Sequence, residues 1–112
     1  MSVRRVLLAS ILAAGFAASA HAQCDTRFTL VNNSSDTIQE FYFGSSAQSN
    51  WGRDQLGQNV LPVGRSMNFS TRYAGANDFK VVWAGGATAQ LMGVNICTTQ
   101  QIVATRSGIV AR

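Results

Sequence analysis

The chain has 112 residues, 46% of them hydrophobic and 12% charged, with nine Lys+Arg against five Asp+Glu and a formal charge of +4. That is room for one small domain. It is too apolar for a disordered chain and has no repeat period that would build a solenoid. Beyond the N-terminus no apolar run is long enough to span a bilayer, so no integral membrane segment is expected once that end is removed.

Residues 1–22 read as a secretory signal peptide. Arg4 and Arg5 form a basic n-region, Val6 to Ala18 an apolar h-region, and Ala20-His21-Ala22 the small-x-small pattern that places cleavage between Ala22 and Gln23. The residues around Arg4-Arg5 lack the polar setting of a twin-arginine signal, so general secretory export is the expectation. Cys24 follows the cut by one residue, whereas a lipoprotein is cut directly before its cysteine, so no lipid anchor is expected. The protein is expected to be periplasmic or secreted. Loss of Arg4 and Arg5 leaves seven basic and five acidic residues, or +2, scattered singly along the chain. Nucleic acid is excluded as a partner, because phosphate neutralisation needs a concentrated basic face.

Strand signals fill the remainder. Arg27 to Val31 precedes a turn cluster at 32–36, and Thr37 to Phe43 follows. Ser66 to Ser70 alternates, as does Phe79 to Trp83, and Gly85-Gly86 then offers a hairpin into Thr88 to Met92. Val94-Asn95-Ile96 continues with its apolar parity switched, which a bulge at Gly93 explains. Gln101 to Thr105 is the last strand expected, and a one-turn helix is expected near Ser49 to Leu56. No stretch keeps a helical apolar period for three turns. About six or seven short strands with turns between them predict an all-β domain over 23–112, a small antiparallel β-sandwich, immunoglobulin-like or a partly open barrel. Its expected core is Phe28, Leu30, Phe41, Phe43, Met67, Phe69, Phe79, Val81, Trp83, Leu91, Val94 and Ile96.

Exported domains of this size are often stapled. Cys24 and Cys97 are the only cysteines, and in an oxidising compartment they are expected to pair. The only histidine, His21, lies in the signal peptide. Its loss removes histidine-based triads, histidine zinc sites and haem ligation, and the disulfide removes thiolate metal sites. No phosphate-binding loop is present, so no metal and no cofactor is expected. Asp25, Asp36, Glu40, Asp54 and Asp78 remain, and they read as turn caps and solubilising groups rather than as catalytic residues. Asn32, Asn33 and Asn68 stand in N-x-Ser sequons and read as turn formers.

One segment stands out, Ser49 to Gly64. Trp51 in a Gly-rich loop could stack on a sugar or peptide while Arg53 and Asp54 make polar contacts. Alternatively Trp51 caps one end of the sandwich, Leu56 and Leu61 plug the core and Arg53 pairs locally with Asp54 or a carbonyl. The packing role is preferred, since small cores recruit loop aromatics. Tyr42 and Arg72 are further binding candidates.

The order Phe28-x-Leu30-x-Asn32, Phe41-Tyr42, Trp51-Gly52-Arg53-Asp54-x-Leu56-Gly57, Leu61-Pro62-x-Gly64 and Asp78-Phe79-Lys80-Val81 resembles a family of small exported bacterial proteins with a WGxDxLG-type loop. The resemblance covers most of residues 27–97. It implies a compact β-domain without catalytic residues to carry over. It also implies a cysteine just before the Asp78 strand as the partner of Cys97. This chain has Arg72 to Asn77 there instead, which makes Cys24 a relocated partner. The function expected is a non-enzymatic interaction or envelope-associated module whose ligand the sequence does not name, an envelope protein or cell-wall glycan being the partners expected. The alternatives are a cell-wall glycan bound through Trp51 and, less favoured, a small carboxylate-based hydrolase.

Overall fold

The computed structural model describes residues 24–112; the expected signal peptide and its cleavage site at Ala22 and Gln23 lie outside the described residues. Seven strands follow one another: β1 (Arg27–Asn33), β2 (Ile38–Ser45), β3 (Ser66–Ser70), β4 (Ala76–Trp83), β5 (Thr88–Asn95), β6 (Gln101–Thr105) and β7 (Gly108–Ala111). They form a four-stranded sheet in the order β3-β1-β6-β7 and a three-stranded sheet in the order β2-β4-β5. Both sheets contribute to one core, so the fold is all-β with two layers. Among the described residues no helix is long and apolar enough to cross a membrane.

Alternation sets the inner faces. Phe28, Leu30 and Asn32 of β1 and Phe79, Val81 and Trp83 of β4 are buried, as period-two patterning requires of strands that lie centrally in their sheets. Phe28, Phe41 and Phe79 are buried at the centre, with Phe43 and Phe69 in ring contact with them. Phe28 meets Phe43 and Phe79 edge-on, with ring centroids 5.1 and 5.3 Å away, and Phe41 and Phe69 lie 5.2 Å apart. Phe43, Met67, Phe69 and Leu91 are half-buried and pack against this centre rather than lying fully inside it. Met67 and Phe69 sit on β3, an edge strand of five residues, and Phe43 borders a cleft. The buried set also takes in Ile38, Ile102, Val103, Ala104 and Ile109, beyond the sequence expectation.

The pairing is antiparallel except between β1 and β6, which run parallel, with Thr29 opposite Gln101 and Asn33 opposite Thr105. Continued toward the strand starts, that register carries Cys24 to the neighbourhood of Ile96 and Cys97. The disulfide closes there, with Cα atoms 5.0 Å apart across 73 residues of sequence. The expected Gly93 bulge is present. The β4–β5 register shifts between Asn77 and Phe79, so Met92 and Gly93 together face Asp78, and Gly93 takes φ +68°. Its N–H donates to Asp78 Oδ1 at 2.8 Å.

Three local expectations are corrected. Residues 49–56 hold no helix: the segment is irregular, with turns over 55–58, and Asp54 and Gln55 tie it to β2 through the Phe41 backbone. Ile96 leaves the strand for a 3-10 turn, Ile96–Thr98, in which the Asn95 side chain accepts from the Cys97 N–H. β7 had no strand signal of its own, and forms because Arg106-Ser107 turns the chain back onto β6.

Candidate binding cleft

Two loops, 46–55 and 70–73, face each other beyond the end of β2. The first is fastened by one carboxylate. Asp54 Oδ1 accepts the Phe41 and Leu56 N–H groups, each at 2.9 Å, and the Gln55 N–H donates to the Phe41 carbonyl at 2.7 Å. β2 is an edge strand, and these bonds occupy backbone groups that would otherwise face outward. Leu61 continues the cover by exchanging backbone bonds with Ile38, both 2.9 Å. Leu56 and Leu61 are buried in the core as the packing reading required. At the other end of the loop Ser46 donates to Asp78 Oδ1 at 2.6 Å.

The second loop is held by buried amide chemistry. Asn77, fully buried, accepts from Thr71 Oγ1 at 2.8 Å and donates to the carbonyls of Tyr73 at 2.9 Å and Gly75 at 3.2 Å. Both cleft walls therefore rest on satisfied polar groups, which fix a loop more firmly than surface contacts do. One direct bond crosses between them, from Gln48 Nε2 to the Tyr73 hydroxyl at 3.1 Å.

The space between the walls is a cleft of about 410 Å³ whose lining includes Trp51, Arg53, Arg72, Tyr73, Gln48 and Asn50. That volume lies within the range of small-molecule sites. Trp51 is half-buried and stands outside the core, where it also borders a smaller recess of about 120 Å³ against Asp78 and Met92. It is a cleft wall, not a cap on the sandwich. Gly52, at φ +72°, turns the chain between Trp51 and Arg53 in a conformation that L side chains rarely adopt.

Arg53 and Arg72 are exposed, and no Asp or Glu lines the cleft with them. Among the described residues the one ion pair is Arg27–Asp25, at 2.9 Å. There the Arg27 side chain and backbone hydrogen bonds hold the Asp25 carboxyl down at about 2. Arg53 does not pair with Asp54, whose bonds run to the backbone. The other carboxylates are engaged too: Asp36 accepts from the Thr37 and Gly85 N–H groups, Glu40 from Tyr42, and Asp78 from Ser46 and Gly93.

The structure thus brings together three of the five binding candidates, Trp51, Arg53 and Arg72. Asp54 serves the loop from behind. Tyr42 lies elsewhere, on the outer face of the β2-β4-β5 sheet opposite Lys80, whose ammonium sits 5.7 Å from the ring centroid. The Tyr42 hydroxyl donates to Glu40 Oε1 at 2.6 Å, and that bond, with burial and the Glu40 and Asp54 charges, pushes the phenol up to about 12. Sequence reasoning did not name Tyr73, Gln48 or Asn50; adjacency to Arg72 and to Trp51 could have pointed to Tyr73 and Asn50, and nothing local marked Gln48. Of the sequon asparagines, Asn32 is fully buried and donates to the carbonyls of Asp36 and Leu61, both at 2.9 Å, which leaves it inaccessible to glycan attachment. Among the described residues no group of three potential metal ligands is present. Comparison with protein-family models, with curated proteins and with solved structures returns no match to this chain.

Proposed function

We propose that this chain is an exported, non-enzymatic binding module and that the cleft between loops 46–55 and 70–73 is its binding surface. The observation that carries this reading is the convergence of Trp51, Arg53, Arg72 and Tyr73 on one cleft with rigidly anchored walls. A preorganised cleft loses little ordering entropy when it binds. The engagement of Asp54 and Asp78 in internal bonds supports a non-catalytic role, since a hydrolytic pair needs two carboxylates free to face one substrate. The signal peptide and the disulfide support an extracytoplasmic site of action. Kinship with the exported WGxDxLG-loop proteins belongs to the same proposal.

The test is capture. Purified protein, as the cell exports it, is incubated with envelope extract and with sedimented cell-wall sacculi beside an Arg53→Ala, Arg72→Ala double variant of equal melting temperature. Material retained by the wild type and lost by the variant supports the cleft as the binding surface. Equal retention by both removes the cleft from the binding role.

A further inference from the structure

The chemistry of the cleft narrows the class of ligand, on the condition that the cleft is the binding surface. Two guanidinium groups, Arg53 and Arg72, line one cleft that contains no carboxylate, and every other carboxylate of the described chain already accepts a hydrogen bond from elsewhere in the fold. Neither arginine is in an ion pair among the described residues. A guanidinium presents a planar fork of donors that matches an oxyanion in two-point contact. The remaining lining includes an indole, a phenol and the side-chain amides of Gln48, Asn50 and Gln55, beside Phe43, Ser70 and Thr71. Flat aromatic faces beside short amide donors and acceptors suit a pyranose ring and its hydroxyls.

A peptide ligand fits this site less well. Peptides commonly bind by adding a strand to a free sheet edge, with apolar pockets reading alternate side chains. The β2 edge beside the cleft is already occupied by Asp54, Gln55 and Leu61, and the cleft lining is mostly polar. We infer that the cleft binds an anionic saccharide, with Arg53 and Arg72 holding its carboxylate or phosphate and Trp51 stacking on the sugar ring.

The experiment is calorimetric titration of the exported protein with oligogalacturonate, N-acetylneuraminate and glucose 6-phosphate. The controls are fully methyl-esterified oligogalacturonate, glucose, inorganic phosphate and an oligoglutamate peptide. The expected result is binding of at least one acidic saccharide, at least tenfold tighter than its uncharged counterpart and than inorganic phosphate. Arg53→Gln and Arg72→Gln each weaken it about tenfold, Arg53→Lys and Arg72→Lys recover only part of the loss, and Trp51→Ala weakens the neutral and charged sugars alike. All variants are compared at matched melting temperature. Whether the carboxylated or the phosphorylated sugar binds distinguishes the two sources of the anion.

Equal binding of the esterified oligomer overturns the inference, because the cleft then reads hydroxyls and not charge. Oligoglutamate binding as tightly as any sugar overturns it in favour of an acidic peptide. Failure of all three acidic saccharides, while envelope material is still captured in a cleft-dependent way, overturns the ligand class and leaves the binding-module reading standing. Loss of cleft-dependent capture overturns both.

Discussion

Asp54 and Arg53 are adjacent in a loop that looks like a charged binding patch, yet the two side chains do opposite work. Asp54 accepts two backbone N–H groups, from Phe41 and Leu56, and both of those residues are buried. Asp54→Ala strands these donors, and a loss of about 2 kcal/mol in denaturant unfolding is expected, because an unsatisfied buried donor costs roughly 1–3 kcal/mol. Arg53→Ala should fall within about 0.5 kcal/mol of wild type, as an exposed side chain without a partner does. Tyr42 supplies a second prediction at this scale. Its phenol keeps its proton up to about 12 against an ordinary value of 10.0, with the Glu40 hydrogen bond the largest cause. A raised pKa favours the neutral form in the folded state. That contribution is fully present below pH 10 and is lost as pH rises from about 10 to about 12. Phenolate absorbance should show the high midpoint, and Glu40→Gln should move it down toward the ordinary value. The Trp-Arg-Asp signal of the loop was legible in the sequence. Which member faces the cleft was not, since that depends on where the edge of β2 runs.

Among the elements, the β1–β6 pair does most to decide the architecture. Its parallel register brings the starts of the two strands together, and with them Cys24 and Cys97, 73 residues apart. In the loop-entropy account, closing a loop of that length stabilises by about 4 kcal/mol, an upper figure because strain is left out. The double variant Cys24→Ala, Cys97→Ala should therefore lose up to about that amount in equilibrium unfolding, with loop 46–55 and its Asp54 bonds unchanged in the folded fraction. The cysteine pairing was readable from composition, since the chain has two cysteines and no others. The parallel pairing that delivers them to each other was not, because pairing of distant segments leaves no local periodic trace. The Gly93 bulge was readable, since a bulge shifts apolar parity and parity is a sequence property. β7 was not: four residues, only one of them buried, carry too little pattern to stand apart from a loop.

Across the whole molecule, the polar groups that look available in the sequence are mostly consumed by the fold. Four of the five Asp and Glu side chains and the buried amides Asn32 and Asn77 hold turns, a bulge and a strand edge, and Glu40 accepts from Tyr42. The charged side chains that line the cleft are Arg53 and Arg72, neither of them in an ion pair, so a chain with a modest overall excess of positive charge presents a local one. By itself the sequence determined the two-faced strands, the all-β class, the disulfide partners, the bulge and the absence of histidine beyond residue 21, because alternation, composition and parity are local properties. Only the tertiary structure decided the parallel β1–β6 register, the attachment of Asp54 to β2 that leaves Arg53 unpaired, and the meeting of Trp51 with Arg72 and Tyr73. Each of those rests on contacts between distant segments, set by which strand edge is left open and which side chain can satisfy it.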